Sequence, residues 1–320
     1  MLVAIIVFFI VFVLYIHIQD QWKRGEDLEV YEMDYSTKEH LQTVSAMKQP
    51  VLFALPFSHR FSLDVIKDSL TSVSNSSSEE IPVWDVREYG VRDSVDPLWL
   101  SYGSFSGLAK SDPKGHFFTR KNQEWLESAD SNHREVDEWV RPPLTLYSRY
   151  ELLKGSEGGH TPLAYHMDDR QYFFVSKGKI SVRMTPWRSG RYLDTVSDYD
   201  NYEFFSRGDP WTCTDKDVRW LDFEVVEGYV LFIPAWWWYS IRFFSVDTEV
   251  VGAHYITGAN ILAHAVDWAR YYGQLHMTQK IPTKRLERAA DIHPIIEDTP
   301  TVVIEPLTEN KKEVISPVSI

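Results

Sequence analysis

The chain has 320 residues, 44% of them hydrophobic, enough to bury one sizeable core or a core with appendages. Its net charge of -13 and its lack of a long Lys/Arg cluster exclude the basic face that nucleic acid demands. A lone cysteine, Cys213, excludes an internal disulfide framework and a cysteine-based zinc site, and fits a reducing compartment.

Residues 1–19 read as a transmembrane anchor. Leu2 to Ile16 is an unbroken apolar run that Ile18 extends past His17, about 27 Å of helix against a hydrocarbon core of roughly 30 Å. The start has no Lys or Arg, and no small-x-small cleavage site follows, so the run is an uncleaved anchor rather than a signal peptide. Lys23 and Arg24 follow the span and nothing basic precedes it, which favours a cytoplasmic body. The expectation is a single-pass membrane protein whose residues 2–18 form one continuous helix detached from the globule. Asn75-Ser-Ser77 is a glycosylation sequon that matters only for a lumenal body.

Residues 20–35 form a stalk, and 36–143 an α/β part. Ser36-Thr-Lys-Glu39 predicts a capping box opening a helix that runs to Met47, and Pro50 stops it before a strand at Val51–Leu55. Phe61–Leu70 reads as a second short helix, Ser72–Glu80 as a mobile Ser-rich loop and Ile81–Val86 as a strand. Lys121–Val140 carries apolar residues too sparsely for a core strand, which predicts a charged surface helix.

From Leu144 apolar runs alternate with Gly, Pro and Asp clusters, so 144–257 is expected to be β, with Arg188–Pro210 a polar, Tyr-rich insertion. The 12 Trp, 17 Tyr and 17 Phe suit such a β-rich part. Residues 258–290 turn helical. There Ile261, Ala265, Trp268, Tyr272 and Leu275 form one apolar stripe, either the face of a homodimer or a helix packed on its own chain. Residues 291–320 carry Pro, Glu and Lys without period and read as a disordered tail.

Two segments carry chemistry. Val230–Ile241 is an apolar strand that enters a bend at Pro234 and leaves through Trp236, Trp237 and Trp238. His166-Met-Asp168 stands ahead of the strand Tyr172–Val175. Residues two apart point to the same side of a strand, so His166 and Asp168 with one ligand from a distant strand would make a 2-His-1-carboxylate iron site.

Over residues 140–258 these segments, with Thr161-Pro-Leu, Phe173-Phe-Val, Lys177-Gly, Asp209-Pro-Trp211 and Glu224 to Gly228, resemble the cupin-like, JmjC-related hydroxylases. That group includes the asparaginyl hydroxylase of the hypoxia factor. The resemblance implies a mostly β (α+β) fold, a double-stranded β-helix (cupin or jelly-roll) barrel with flanking helices, and Fe(II) and 2-oxoglutarate as cofactors. It places the metal on His166, Asp168 and Tyr239. The family writes His where Tyr239 stands, and a phenolate ligand is costly at a free pKa near 10. His254 is the substitute, against its plainer reading as a hydrogen-bonded core histidine.

Two registers stay open. Counting back from Phe173 puts His166 at the first ligand. Counting forward from Thr161 puts Ala164 there and moves His166 to the carboxylate position. For the co-substrate the resemblance offers Thr161 and Lys179, with Arg183 a second cation and Tyr147 or Tyr165 a phenol. Strand parity sets Lys179 and Arg183 on the face opposite Ile180 and Val182. The tryptophan run reads as packing, Asp209-Pro-Trp211 as structure, and Asp222, Glu224 and Glu227 as solvent-facing. Three functions follow: a degenerate barrel serving as a binding or assembly module at a membrane, an Fe(II)/2-oxoglutarate hydroxylase of a protein or small molecule, and a metal enzyme with two protein ligands.

Overall fold

Apolar alternation writes most of residues 145–257 as strands. The structure, a computed structural model, describes residues 1–22, 25–55, 80–128, 132–199, 201–213 and 216–277. The expected helix Phe61–Leu70, the Ser-rich segment 72–79 with its sequon, and residues 278–320 lie outside the described residues.

The strands are β1 (Tyr31–Asp34), β2 (Val51–Ala54), β3 (Glu80–Asp85), β4 (Leu98–Ser101), β5 (Phe117–Thr119), β6 (Thr145–Gly155), β7 (Leu163–Tyr165) and β8 (Arg170–Lys177). They continue as β9 (Lys179–Thr185), β10 (Thr195–Asp198), β11 (Glu203–Ser206), β12 (Leu221–Val226), β13 (Tyr229–Ile233), β14 (Trp238–Phe243) and β15 (Glu249–Thr257). A nine-stranded sheet runs β1-β2-β13-β8-β15-β6-β5-β3-β4, and a six-stranded sheet runs β10-β11-β7-β14-β9-β12.

This is a mixed α/β architecture with two large sheets, which corrects the expected mostly β barrel confined to 144–257. The physical reason is strand addition. β1 and β2 extend one end of the larger sheet and β5, β3 and β4 the other, so the N-terminal part is continuous with the sheet rather than packed on it. No strand is common to both sheets. The supposed insertion Arg188–Pro210 also becomes sheet, supplying β10 and β11.

α1 (Leu2–Trp22) is helical, but among the described residues no helix is long and apolar enough to cross a membrane. The single-pass expectation, and the cytoplasmic orientation resting on it, fall with that finding. Nor is the helix detached, because His17 Nδ1 donates to the Ala263 carbonyl at 2.8 Å.

α2 (Lys38–Ser45) starts one residue later than a Ser36 cap would allow: Thr37 is the cap, its hydroxyl accepting from the His40 amide. The surface helix expected over Lys121–Val140 is instead α3 (Gln123–Ser128), a 3-10 turn and α4 (Asp137–Val140). Trp125, Leu126, Trp139 and Val140 are buried there, which is why the apolar residues are few but large. The C-terminal helical segment breaks at His264 into α5 (Gly258–Ala263) and α6 (Ala265–Met277).

Parity sorts two cores. On one face of the larger sheet Phe53, Tyr150, Leu152, Tyr172, Phe174, Phe232, Val251 and Tyr255 pack with Leu41, Val44, Trp125 and Trp139 from the helices. On the other face Leu153, Phe173, Val175, Leu231, Ile233 and Val250 meet Ile180, Val182, Met184, Phe205, Ile241 and Phe243 of the smaller sheet. Each such side chain, fully buried, contributes roughly 1.5–3 kcal/mol.

Candidate functional site

The inter-sheet face changes character along its strands. Across β6, β15 and β8, Leu153, Val250 and Val175 form an apolar row in register. The row two residues further is Glu151, Gly252 and Phe173, and the next is Arg149, His254 and Gln171. With period 2 these residues all point between the sheets. The polar end opens into a cavity of about 1070 Å³ that also takes in Arg120, Lys121, His166, Asp168, Glu203 and Tyr239.

The charges here hold one another. The Arg149 guanidinium donates to Asp168 Oδ2 at 2.6 Å, and His254 Nδ1 lies 3.3 Å from the same oxygen. His254 Nε2 donates to Glu151 Oε1 at 3.0 Å, and the Lys121 amide to Glu151 Oε2 at 2.9 Å. Glu203 is gripped by Arg120 at 2.9 Å and Lys121 at 2.5 Å. Asp168 is only 3% exposed.

Burial alone would raise the carboxyl pKa of Asp168, but Arg149 and His254 outweigh it and hold the group well below the usual range. Glu151 is brought down to about 2, burial being overcome by His254, the Lys121 amide and Arg120. Burial lowers His254, yet Glu151 and Asp168 raise it further, so its net direction is up. His166 goes the other way, to about 4, because burial dominates its attraction to Asp168. The neutral ring donates from Nε2 to the Ile233 carbonyl at 3.2 Å.

The metal expectation meets this geometry badly. In the ladder Tyr239 stands opposite Ala164, not His166, so the register counted from Thr161 is the one formed. The His166 and Tyr239 ring centroids are 6.1 Å apart, but His166 spends Nε2 on a backbone carbonyl and Tyr239 takes a hydrogen bond from Gln171 Nε2 at 2.9 Å. Burial, then Glu151, pushes the Tyr239 phenol pKa upward, away from a phenolate. His254, the substitute ligand, gives Nε2 to Glu151 at 3.0 Å and sets Nδ1 3.3 Å from Asp168. Among the described residues no group of three or more His, Cys, Asp or Glu is arranged to hold a metal ion. The residues present do not fit iron.

The co-substrate residues are elsewhere. Lys179 points outward to Glu224 Oε2 at 2.6 Å and lies over the Phe244 ring at 4.1 Å. Arg183, on the same outer face, clasps Asp222. Thr161 is buried, its hydroxyl accepting from the Ile241 amide at 3.0 Å, and it does not line the cavity. Tyr147 and Tyr165 do line it. The tryptophans pack: Trp237 is in the inter-sheet core, and Tyr165 stacks on Trp236. Trp211 donates to Ser240 Oγ at 3.0 Å, tying down its loop.

Sequence reading passed over Arg120, Lys121, Arg149, Glu151, Gln171 and Glu203. A signal was there for two of them. Ser148-Arg-Tyr-Glu-Leu-Leu sets Arg149 and Glu151 at alternate positions of a strand whose later residues are apolar on both faces, a pattern that buries charge. Compared with known proteins, the chain matches no family model and no curated protein.

Proposed function

We propose that this chain is a metal-independent binding module, built on a hydroxylase-like site whose ligand positions have been rewritten. The observation that carries the reading is the pairing of Tyr239 with Ala164 while Asp168 is held by Arg149 and His254. An iron ligand must offer a free lone pair at a shared point. Here Asp168 and Tyr239 are turned toward protein partners, and His254 lies between two carboxylates. An organic cation, Arg149, supplies the positive charge that keeps a buried carboxylate ionised. What remains is a large cavity with polar groups converging from several strands, the ordinary form of a ligand site.

The test is anaerobic Fe(II) titration of the full chain followed by assay of 2-oxoglutarate turnover. The expected result is neither stoichiometric iron binding nor decarboxylation. Turnover of 2-oxoglutarate would overturn the proposal in favour of a hydroxylase acting on a protein or small molecule. The triple variant Ala164→His, His166→Asp, Tyr239→His sharpens it: Co(II), bound by that variant and not by the native chain, would show that these three positions alone withhold the metal.

A further inference from the structure

The floor of the cavity matches three cations, Arg120, Lys121 and Arg149, with three carboxylates, Glu151, Asp168 and Glu203, and sets His254 between two of the carboxylates. A charged ligand entering here would compete with an internal pair whichever sign it carried. A neutral one would not. Some polar atoms are nonetheless left over. Gln171 is 1% exposed, and its Oε1 has no hydrogen-bond partner while Nε2 is used by Tyr239. His166 Nδ1 and the Tyr202 hydroxyl are likewise buried without a partner, and both residues line the cavity. A buried polar group left unpaired is costly, so a ligand that satisfies these groups recovers that cost.

The pairs also have a shape. Arg149 Nη2 and Asp168 Oδ2, 2.6 Å apart, present a donor and an acceptor side by side, and His254 and Glu151 repeat this at 3.0 Å. Two adjacent hydroxyls complement such a pair, one accepting from the cation and the next donating to the carboxylate. At the mouth, Trp99, Tyr147 and Tyr272 are 57%, 51% and 52% exposed, flat apolar faces beside a polar floor. We propose that the cavity binds a neutral saccharide, vicinal hydroxyls on the ion pairs and on Gln171 and a ring face against the aromatic rim. This deepens the binding-module reading and rests on it.

The experiment is saturation-transfer difference NMR on the full chain with four neutral probes: maltotriose, mannotriose, galactotriose and chitotriose. At least one should show saturable transfer. The exposed rim makes Trp99→Ala a variant that keeps its fold, and it should weaken that probe five-fold or more, as should Gln171→Leu. No saturable transfer from any of the four overturns the proposal, as does binding that neither substitution alters. So does displacement of a bound probe by succinate or spermidine at equal concentration, since charge would then be tolerated. Iron binding and 2-oxoglutarate turnover are read separately, so a chain negative for both those and the saccharides loses only the saccharide.

Discussion

Arg149–Asp168 and Lys179–Glu224 are ion pairs of the same 2.6 Å length in very different places. Asp168 is 3% exposed at its side chain, whereas Glu224 is 53% exposed on the outer face of the smaller sheet. The two cations are about equally exposed, 35% and 34%; it is the carboxylate that differs, since a buried one depends on its cation and a hydrated one gains little from it. Distance does not rank the pairs; burial does. The lesson extends to recognition, because Lys179 was legible as a co-substrate cation while the cations that reach the cavity are Arg120, Lys121 and Arg149.

The comparison breaks first at Arg149. Arg149→Met should cost about 3 kcal/mol by stranding a buried carboxylate, read as a fall in denaturation midpoint. Adding Asp168→Leu should restore most of the loss, since an apolar pair replaces an ionic one at little net cost. An Arg149→Met chain of native stability would show that Asp168 is hydrated.

Two imidazoles sharpen it through pH. His166 is held near 4 against an ordinary value of about 6.5, so its contribution is present above the unfolded pKa and is lost as pH falls from about 6.5 to 4. The native chain should therefore lose about 2 kcal/mol over that window that His166→Gln does not, measured as thermal midpoints. His254 has the opposite sign: its folded pKa is raised, so its contribution is complete below the unfolded value and is lost as pH rises through the folded one. His254→Gln should flatten the alkaline side of the same curve.

The smallest effect belongs to the outer pair. Lys179→Ala should change stability by less than about 1 kcal/mol, and less still in high salt. A loss matching that of Arg149→Met would erase the contrast.

How much the sequence revealed follows the same division. Strand periods were readable where apolar residues alternate, as in Val230–Ile233 and Val250–Ile256, because parity is a local property. The two-sheet architecture was not, since it depends on β2 adding to β13, more than a hundred residues away, and on β5 carrying β3 and β4 onto β6. At the site, His166, Asp168 and Tyr239, read from the sequence as metal ligands, line the cavity, and their chemistry turned on a register. A shift of two residues between Thr161 and Phe173 decides whether Tyr239 faces Ala164 or His166, and local pattern does not fix it. The membrane expectation failed differently: an apolar run is readable residue by residue, but among the described residues no helix is long and apolar enough to cross.

Gly252 gives the cavity an unexpected dependence. A Cβ on it would stand 2.8 Å from Glu151 Cγ and 3.3 Å from His254 Nε2. The Glu151 side chain thus fills the place where the central strand has no side chain, at the level where the sheet face passes from oil to charge. One missing methyl group admits a carboxylate, the carboxylate recruits the imidazole, and the imidazole flanks Asp168. Gly252→Ala would force the Glu151 side chain to shift, so one link of the chamber's charge network hangs on an absence of atoms.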